Sequence, residues 1–317
     1  PARIATIAAI LVMGVLSGFY WYDAEQKKNE NVIEKLRNQS AVLMESEEVN
    51  VDEKATYLIA NERFDSGSMV KALVKKDFKT RIKLGVEAYK ILEFVNHQED
   101  SEFKKQLRAL LMQDFTKPEA TDDPELLLTY GNKLMVLLAM DQYYTPDAEK
   151  EAARKTLAEV NYNLALRFYR DQSLFRPVLP TELNLAIQFW LTFGEVTPEK
   201  TRALLQLISP LEGGEATFNR YYAKGGFETN GRLANDFFGG YHTLACLYAS
   251  LGELDKVFAC FNQLLENNQR NYFEQSRVLN NHINVLGFLY QYKHRDQVPA
   301  FLAWLSKNTR DNPPITI

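Results

Sequence analysis

Carboxylates placed among aromatic side chains are the first candidates for chemistry in this sequence. Glu215, Glu228 and Asp236 lie in segment 211–240, which also holds seven of the fifteen glycines. Carboxylates serve as general acids and bases, and a pair of them can hydrolyse a glycosidic bond. Such a site would suit an all-helical enzyme that acts on carbohydrate, or a glycan-binding protein. Acids in a loop are more often solvated, so we expect no catalytic residue and keep the enzyme as the alternative.

Aromatic residues of the same segment are candidates for binding a partner. Tyr221, Tyr222 and Phe227 stand between glycine pairs, in a stretch of thirty residues that is long for a connection. Long loops of this kind are often functional. The alternative is that the rings tuck the segment onto the core, with a short helix inside it. The sequence leaves both readings open.

Metal and cofactor sites are not indicated. The chain has four histidines, and His242 stands four residues before Cys246, so both would share one helix face. A zinc site needs further ligands at suitable spacing, and none follows. There is also no phosphate loop, no nucleophile elbow and no HExxH pattern. We therefore expect no metal, no cofactor and no catalytic residue, which favours a protein that is not an enzyme.

Basic residues cluster within thirteen positions and could meet an acidic surface. They are Lys71, Lys75, Lys76, Lys79, Arg81 and Lys83, with Asp77 as the one acid among them. Such a cluster could touch anionic headgroups or an acidic partner, and Lys75, Lys76, Lys79 and Arg81 are the candidate binding residues. A solvated helix face is the other interpretation.

An uncharged run precedes everything else. Residues 4–22 contain no charge and would span ~28 Å as a helix, close to the thickness of a bilayer's hydrocarbon core. Four aromatics, Phe19 to Tyr22, end the run at what would be an interface. The run predicts a single membrane anchor, with a cleaved signal peptide or a buried helix as alternatives.

Orientation follows weakly from the flanking charges. Arg3 precedes the run and would stay on the cytoplasmic side, although Lys27 and Lys28 argue the other way. We expect a single-pass protein of a bacterial inner membrane, with its C-terminal body extracytoplasmic. The net charge of −4 argues against nucleic acid as the main partner. Cys246 and Cys260 are too few for a disulfide framework, and either a single disulfide or two buried thiols would fit.

Helical patterns fill the rest of the chain. Asp123, Thr145 and Thr197 each stand before a proline and so provide a capping oxygen at a helix start. Helices are predicted over 124–142, 146–170, 181–194 and 198–209. No stretch shows the alternation of a strand. The predicted divisions are an anchor at 1–23, a stalk and acidic hinge at 24–53, helical hairpins at 54–210, the glycine- and aromatic-rich loop at 211–240, and further hairpins at 241–317.

Segment 241–268 has the pattern of a helical hairpin, with Tyr241, Leu244, Ala245 and Tyr248 on a first helix, Gly252 at a turn and Phe261 on a second helix. This pattern resembles a tetratricopeptide repeat. Val257 replaces the usual small alanine, and the match covers under a tenth of the chain. A degenerate copy is predicted 42 residues on, where Leu286, Gly287 and Tyr290 would repeat the first-helix pattern.

The resemblance implies an all-α chain built as a tetratricopeptide-like α-solenoid behind its single anchor helix. In that family the residues at these positions pack the two helices together, and the stacked hairpins hold a peptide or a protein. One clear repeat is fewer than the three or so units that stacking needs, so an irregular helical domain is the alternative. The expected function is a membrane-anchored scaffold or accessory subunit, similar in architecture to the small repeat proteins beside bacterial secretion translocons.

Overall fold

The architecture is helical throughout the part of the chain that the computed structural model describes. The described residues are 34–35, 38–39, 42–46, 49–62, 65–95, 100–117, 123–140, 148–176, 179–222, 232–267 and 282–308. Every regular element in these ranges is a helix, which confirms the all-α class. None of the helices in these ranges combines the length and apolar character required to cross a bilayer. Segment 4–22 lies outside the described residues, so the anchor stays a prediction.

Backbone contacts divide the chain into two compact units, Pro1–Asp114 and Phe115–Ile317. The sequence predicts its divisions elsewhere, after residues 23, 53, 210 and 240. Composition and glycine content mark those places, whereas the structural division falls inside a continuous helix and leaves no local signal.

The first unit contains three whole helices, α1 Val51–Ala60, α2 Ser66–Val74 and α3 Phe78–Val95, and the part of α4 Glu102–Thr116 up to Asp114. Side-chain caps begin all four, because Asn50, Asp65, Asp77 and Ser101 each accept a hydrogen bond from a backbone N–H three residues on. Helices α1 and α2 both pack on α3.

Ion pairs join α3 to α4 inside the first unit. The Lys104 Nζ lies 2.7 Å from a Glu93 carboxylate oxygen, and both side chains are almost fully buried. Arg81 donates to both carboxylate oxygens of Asp114, at 2.5 and 2.9 Å. Buried charges are tolerated only when they are paired, so these contacts fix how the two helices face each other.

The second unit continues with nine described helices: α5 Pro124–Met140, α6 Ala148–Arg170, α7 Leu179–Phe193, α8 Pro198–Ile208, α9 Glu215–Tyr222, α10 Arg232–Leu251, α11 Leu254–Asn267, α12 His282–Gln291 and α13 Val298–Asn308. The predicted caps at Asp123 and Thr197 are present, since their side chains accept from the N–H groups of Leu126 and Lys200. Thr145 lies outside the described residues.

Packing in the second unit is mainly between helices close in sequence. Helix α5 contacts α6 and α7, α6 contacts α7 and α8, and α8 contacts α9 and α10. Helix α10 then contacts α11 and α12, and it also packs on α7. Aromatic rings of α11 and α13 are in contact as well, because Phe258 and Trp304 stack with their ring centroids 5.1 Å apart. Packing that runs from neighbour to neighbour is typical of helical repeats.

Much of segment 211–240 is helical rather than a loop. It contains α9 and the first turns of α10, and Gly213 at φ +90 ends the 3-10 turn between α8 and α9. Helix α9 lies against α10 so closely that a Cβ at Gly240 would stand 2.6 Å from the Tyr222 ring. Glycine at this position therefore permits the approach of the two helices.

Helix α10 ends at a turn that reverses the chain into α11. Gly252 has φ +71, its N–H donates to the Ala249 carbonyl, and the Glu253 N–H donates to the Tyr248 carbonyl. These two bonds and the left-handed glycine make a Schellman motif, a common end of a helix.

The same motif ends α12, with Lys293 in place of the glycine. Lys293 has φ +67, its N–H donates to the Tyr290 carbonyl, and the His294 N–H donates to the Leu289 carbonyl. The two turns therefore align at an offset of 41 residues, and the predicted offset of 42 is one too many. Buried Leu289, not the half-exposed Tyr290, is the structural equivalent of Tyr248.

Candidate partner-binding groove

The outer face of α6 lines an open groove of about 570 Å³ in the second unit. One stripe of α6 provides its length, because Thr156, Val160, Asn163 and Arg167 recur at three- and four-residue spacing and so share a face. The opposite wall comes from the end of α4, Phe115 to Lys117, which belongs to the second unit. The groove is therefore a feature of one unit and follows α6 for three turns.

The floor of this α6 groove is apolar. Phe115, Leu127 and Leu164 are 3%, 2% and 6% exposed, so they form a fixed base. Val160 is half-buried between this base and the opening, and Asn163 is exposed beside it. An apolar floor with neighbouring amide and hydroxyl groups suits a chain segment that buries small apolar side chains and hydrogen-bonds through its backbone.

Ion pairs hold one end of the groove. Lys155 and Glu195 meet at 2.7 Å, and Lys200 meets Glu159 at 2.7 Å. The Glu195 backbone N–H also donates to the Glu159 carboxylate at 2.6 Å. The hydrogen bond with Lys155 lowers the pKa of Glu195 and raises that of Lys155, so both stay charged at neutral pH. This network fixes the turn between α7 and α8 against α6.

The aromatic candidates of segment 211–240 lie in the interior where they are described. Tyr221 and Tyr222 are 3% and 1% exposed. The Tyr221 hydroxyl donates to the Phe168 carbonyl at 2.6 Å, and the Tyr222 hydroxyl lies 2.6 Å from that of Tyr169. Their rings therefore pack the segment onto the core and do not face a partner. Phe227 lies outside the described residues.

The acids of the same segment do not meet these tyrosines in the part that is described. Glu215 is exposed at the start of α9, while Tyr221 and Tyr222 point into the core. Glu228 and the side chain of Asp236 lie outside the described residues. Within the described ranges no three side chains of the metal-binding kinds come together. The His242 Nε2 lies 3.6 Å from the Cys246 Sγ, and both side chains are buried.

The basic cluster is split by the structure into two roles. Lys76 donates to the Met44 carbonyl, and Arg81 binds Asp114 as described above, so both hold the fold together. Lys71, Lys75 and Lys79 are exposed around the turn between α2 and α3. The three exposed lysines thus form a positively charged surface. Lys76 and Arg81, two of the four candidate binding residues, are engaged inside the fold instead.

The residues expected to pack the repeat-like hairpin are buried. Tyr241, Leu244, Ala245, Tyr248 and Phe261 are between 0% and 9% exposed. The Tyr248 hydroxyl lies 2.6 Å from the Ser209 Oγ, which joins α10 to the end of α8. Gly252 forms the turn, so this stretch is a packed helix pair.

Comparison with known proteins finds no matching family model, no matching curated protein and no matching solved structure. A function must therefore be inferred from the α6 groove, which the sequence analysis did not predict. The spacing of Thr156, Val160, Asn163 and Arg167 was a usable signal for a shared face. Its concavity depends on residues 115–117 of the same unit, and no pattern within α6 predicts that they lie there.

Proposed function

We propose that this protein is a membrane-anchored helical scaffold, an accessory subunit that binds a segment of a protein partner in the α6 groove. The anchor is the uncharged run at 4–22, and the body is a tetratricopeptide-like solenoid. The groove carries the proposal, because it combines an apolar floor with exposed amide and hydroxyl groups on a rigid helix. Extended peptides are recognised by such arrangements of pockets and backbone hydrogen bonds.

Two observations support the solenoid part of the proposal. The helices of the second unit pack from neighbour to neighbour along the chain. The ends of α10 and α12 carry the same capping motif at an offset of 41 residues, as two copies of one structural repeat would. A solenoid of helix pairs presents an extended concave surface, which suits a scaffold.

Affinity purification of the full chain in several mild detergents tests the proposal. We expect a protein to co-purify in a fixed ratio and Val160→Asp to remove it, because a bound partner would cover the new carboxylate in the groove and burial of an unpaired charge is costly. Val136→Asp is the matched control, since Val136 is an exposed valine of α5 in the same unit, outside the groove. A monodisperse chain without any stoichiometric partner would count against a scaffold.

A further inference from the structure

The turn between α2 and α3 presents lysines around an exposed valine. Lys71, Val74 and Lys75 share one face of α2, since they are three and four residues apart, and Lys79 follows in the first turn of α3. All three lysines are exposed, and Val74 is 54% exposed. We call this surface the basic turn. The basic turn therefore offers positive charge and an apolar side chain on one surface.

Internal bonds hold the basic turn in a fixed shape. Arg81 donates to both oxygens of Asp114 and, through Nη1, to the Lys76 carbonyl at 2.8 Å. Lys76 in turn donates through Nζ to the Met44 carbonyl. The backbone between α2 and α3 is thus tied both to α4 and to residues 42–46. The exposed lysines project from this fixed base.

The charge of the basic turn is opposite to that of the chain. Six bases and one acid, Asp77, lie between residues 71 and 83, while the whole chain carries −4. Asp77 is occupied as the cap of α3, and the hydrogen bonds from the Thr80 side chain and backbone lower its pKa. The turn is therefore a local positive surface on an acidic protein, complementary to a dense array of anions.

We propose that the basic turn docks on anionic lipid headgroups of the membrane that holds the chain, an inference that rests on the proposed anchor. The bond from Lys76 to Met44 places the turn beside residues 42–46, which begin twenty residues after the predicted span. Val42 in that stretch is 69% exposed and is a second exposed valine of the first unit. Lysines on the headgroups with aliphatic side chains below them suit a bilayer interface.

Acetylation of lysines tests this docking on the full chain. The protein is reconstituted in vesicles of phosphatidylcholine alone and in vesicles that also contain phosphatidylglycerol. Mass spectrometry then gives the acetylation rate of each lysine. We expect Lys71, Lys75 and Lys79 to react about fivefold more slowly in the anionic vesicles, and high salt to restore their rates. Lys105, exposed on α4 in the same unit, is the reference and should react equally in both.

Two variants sharpen the result. Val74→Ser should reduce the protection of Lys71 and Lys75, while Lys105→Gln should leave it unchanged. Equal rates in both kinds of vesicle would overturn the docking, and so would protection that arises only when an acidic protein is added. The anchor is judged separately by an alkaline wash of the vesicles. Loss of the chain from the membrane in that wash contradicts the anchor, and the acetylation rates before the wash still decide the docking.

Discussion

Gly252 and Lys293 occupy the same position at the ends of two helices. Both have positive φ, +71 and +67, and both are followed by a residue whose N–H donates to the carbonyl five residues back. The two turns also touch, because the His294 Nε2 lies 3.3 Å from the Ser250 carbonyl oxygen and the Gln297 side chain donates to the Gly252 carbonyl at 2.7 Å. One glycine and one lysine thus perform the same reversal in adjacent helix pairs.

Lys293→Gly should stabilise the protein. A side chain at positive φ costs roughly 1–2 kcal/mol, and glycine returns part of that gain through the entropy of the unfolded chain. We expect a net gain of about 0.5–1 kcal/mol in the free energy of unfolding, measured by chemical denaturation of the full chain in detergent.

Gly252→Ala should do the opposite. The new Cβ would meet positive φ and stand 2.6 Å from the His294 Nδ1, so a loss of roughly 2 kcal/mol or more is expected. If Gly252→Ala were neutral, or Lys293→Gly destabilising, the two turns would not be equivalent.

Packing of the α10–α11 hairpin can be tested with three substitutions. Ala245→Leu should cost roughly 1–3 kcal/mol by overpacking, because Ala245 is fully buried. Tyr248→Ala should cost about 3–5 kcal/mol and leave Ser209 without its hydroxyl partner. Asp255→Ala, at an exposed position of α11, should be nearly neutral. Thermal melts compare the three, and an Asp255→Ala variant as damaging as Ala245→Leu would refute this register.

The sequence predicted local features such as helix caps well. It predicted contacts between residues that are distant in sequence poorly. The caps at Asp123 and Thr197 depend on neighbouring residues, so a pattern reveals them. The offset between the two hairpins was misjudged by one residue because Tyr290 looks like Tyr248, whereas the capping bond goes to the Leu289 carbonyl. The groove at Val160 also needs residues 115–117 beside α6, and no spacing within α6 predicts their position.

Burial and hydrogen bonding show which candidate binding residues belong to the core, which the sequence alone did not reveal. Tyr221 and Tyr222 looked like candidates for a binding loop because glycines surround them. Their hydroxyls instead bond inside the core, to Phe168 and Tyr169. Lys76 and Arg81 belonged to a basic run by sequence, yet their partners are Met44 and Asp114, more than thirty residues away.

The buried pair of Glu93 and Lys104 should respond unequally to single and double substitution. Lys104→Met leaves the Glu93 carboxylate buried without its cation and should cost about 3–5 kcal/mol. Replacing both residues by methionine should recover most of that loss, since neither charge remains to be desolvated. Chemical denaturation measures both.

Lys90→Met is the matched control for this pair. Lys90 is half-exposed and pairs with Glu87 on the same helix, so its loss should cost at most about 1 kcal/mol. A double variant as unstable as Lys104→Met would contradict this expectation. It would show that the packing of the Lys104 side chain, not the unpaired charge of Glu93, sets the loss in the free energy of unfolding.

The two cysteines should behave as inaccessible thiols. Cys246 and Cys260 are fully buried and unbridged, and burial raises the pKa of both thiols above the ordinary value of 9.0. Because the folded state holds these protons more tightly, their contribution to stability is complete below pH 9.0 and declines as the pH rises above it. Replacing both cysteines by alanine should flatten that alkaline decline. Titration with a thiol reagent should count two thiols after unfolding and almost none before, and a count of zero in denaturant would reveal a disulfide instead.

Photo-crosslinking in living cells tests the central claim most directly. A photoreactive benzoylphenylalanine replaces Asn163, which is exposed in the α6 groove, and in a second strain it replaces Val136 outside the groove. The account predicts one discrete crosslinked product from position 163, none from position 136, and loss of the product when Val160→Asp is added. Equal crosslinking from both positions, or a product from position 163 that survives Val160→Asp, would contradict a partner bound in the α6 groove.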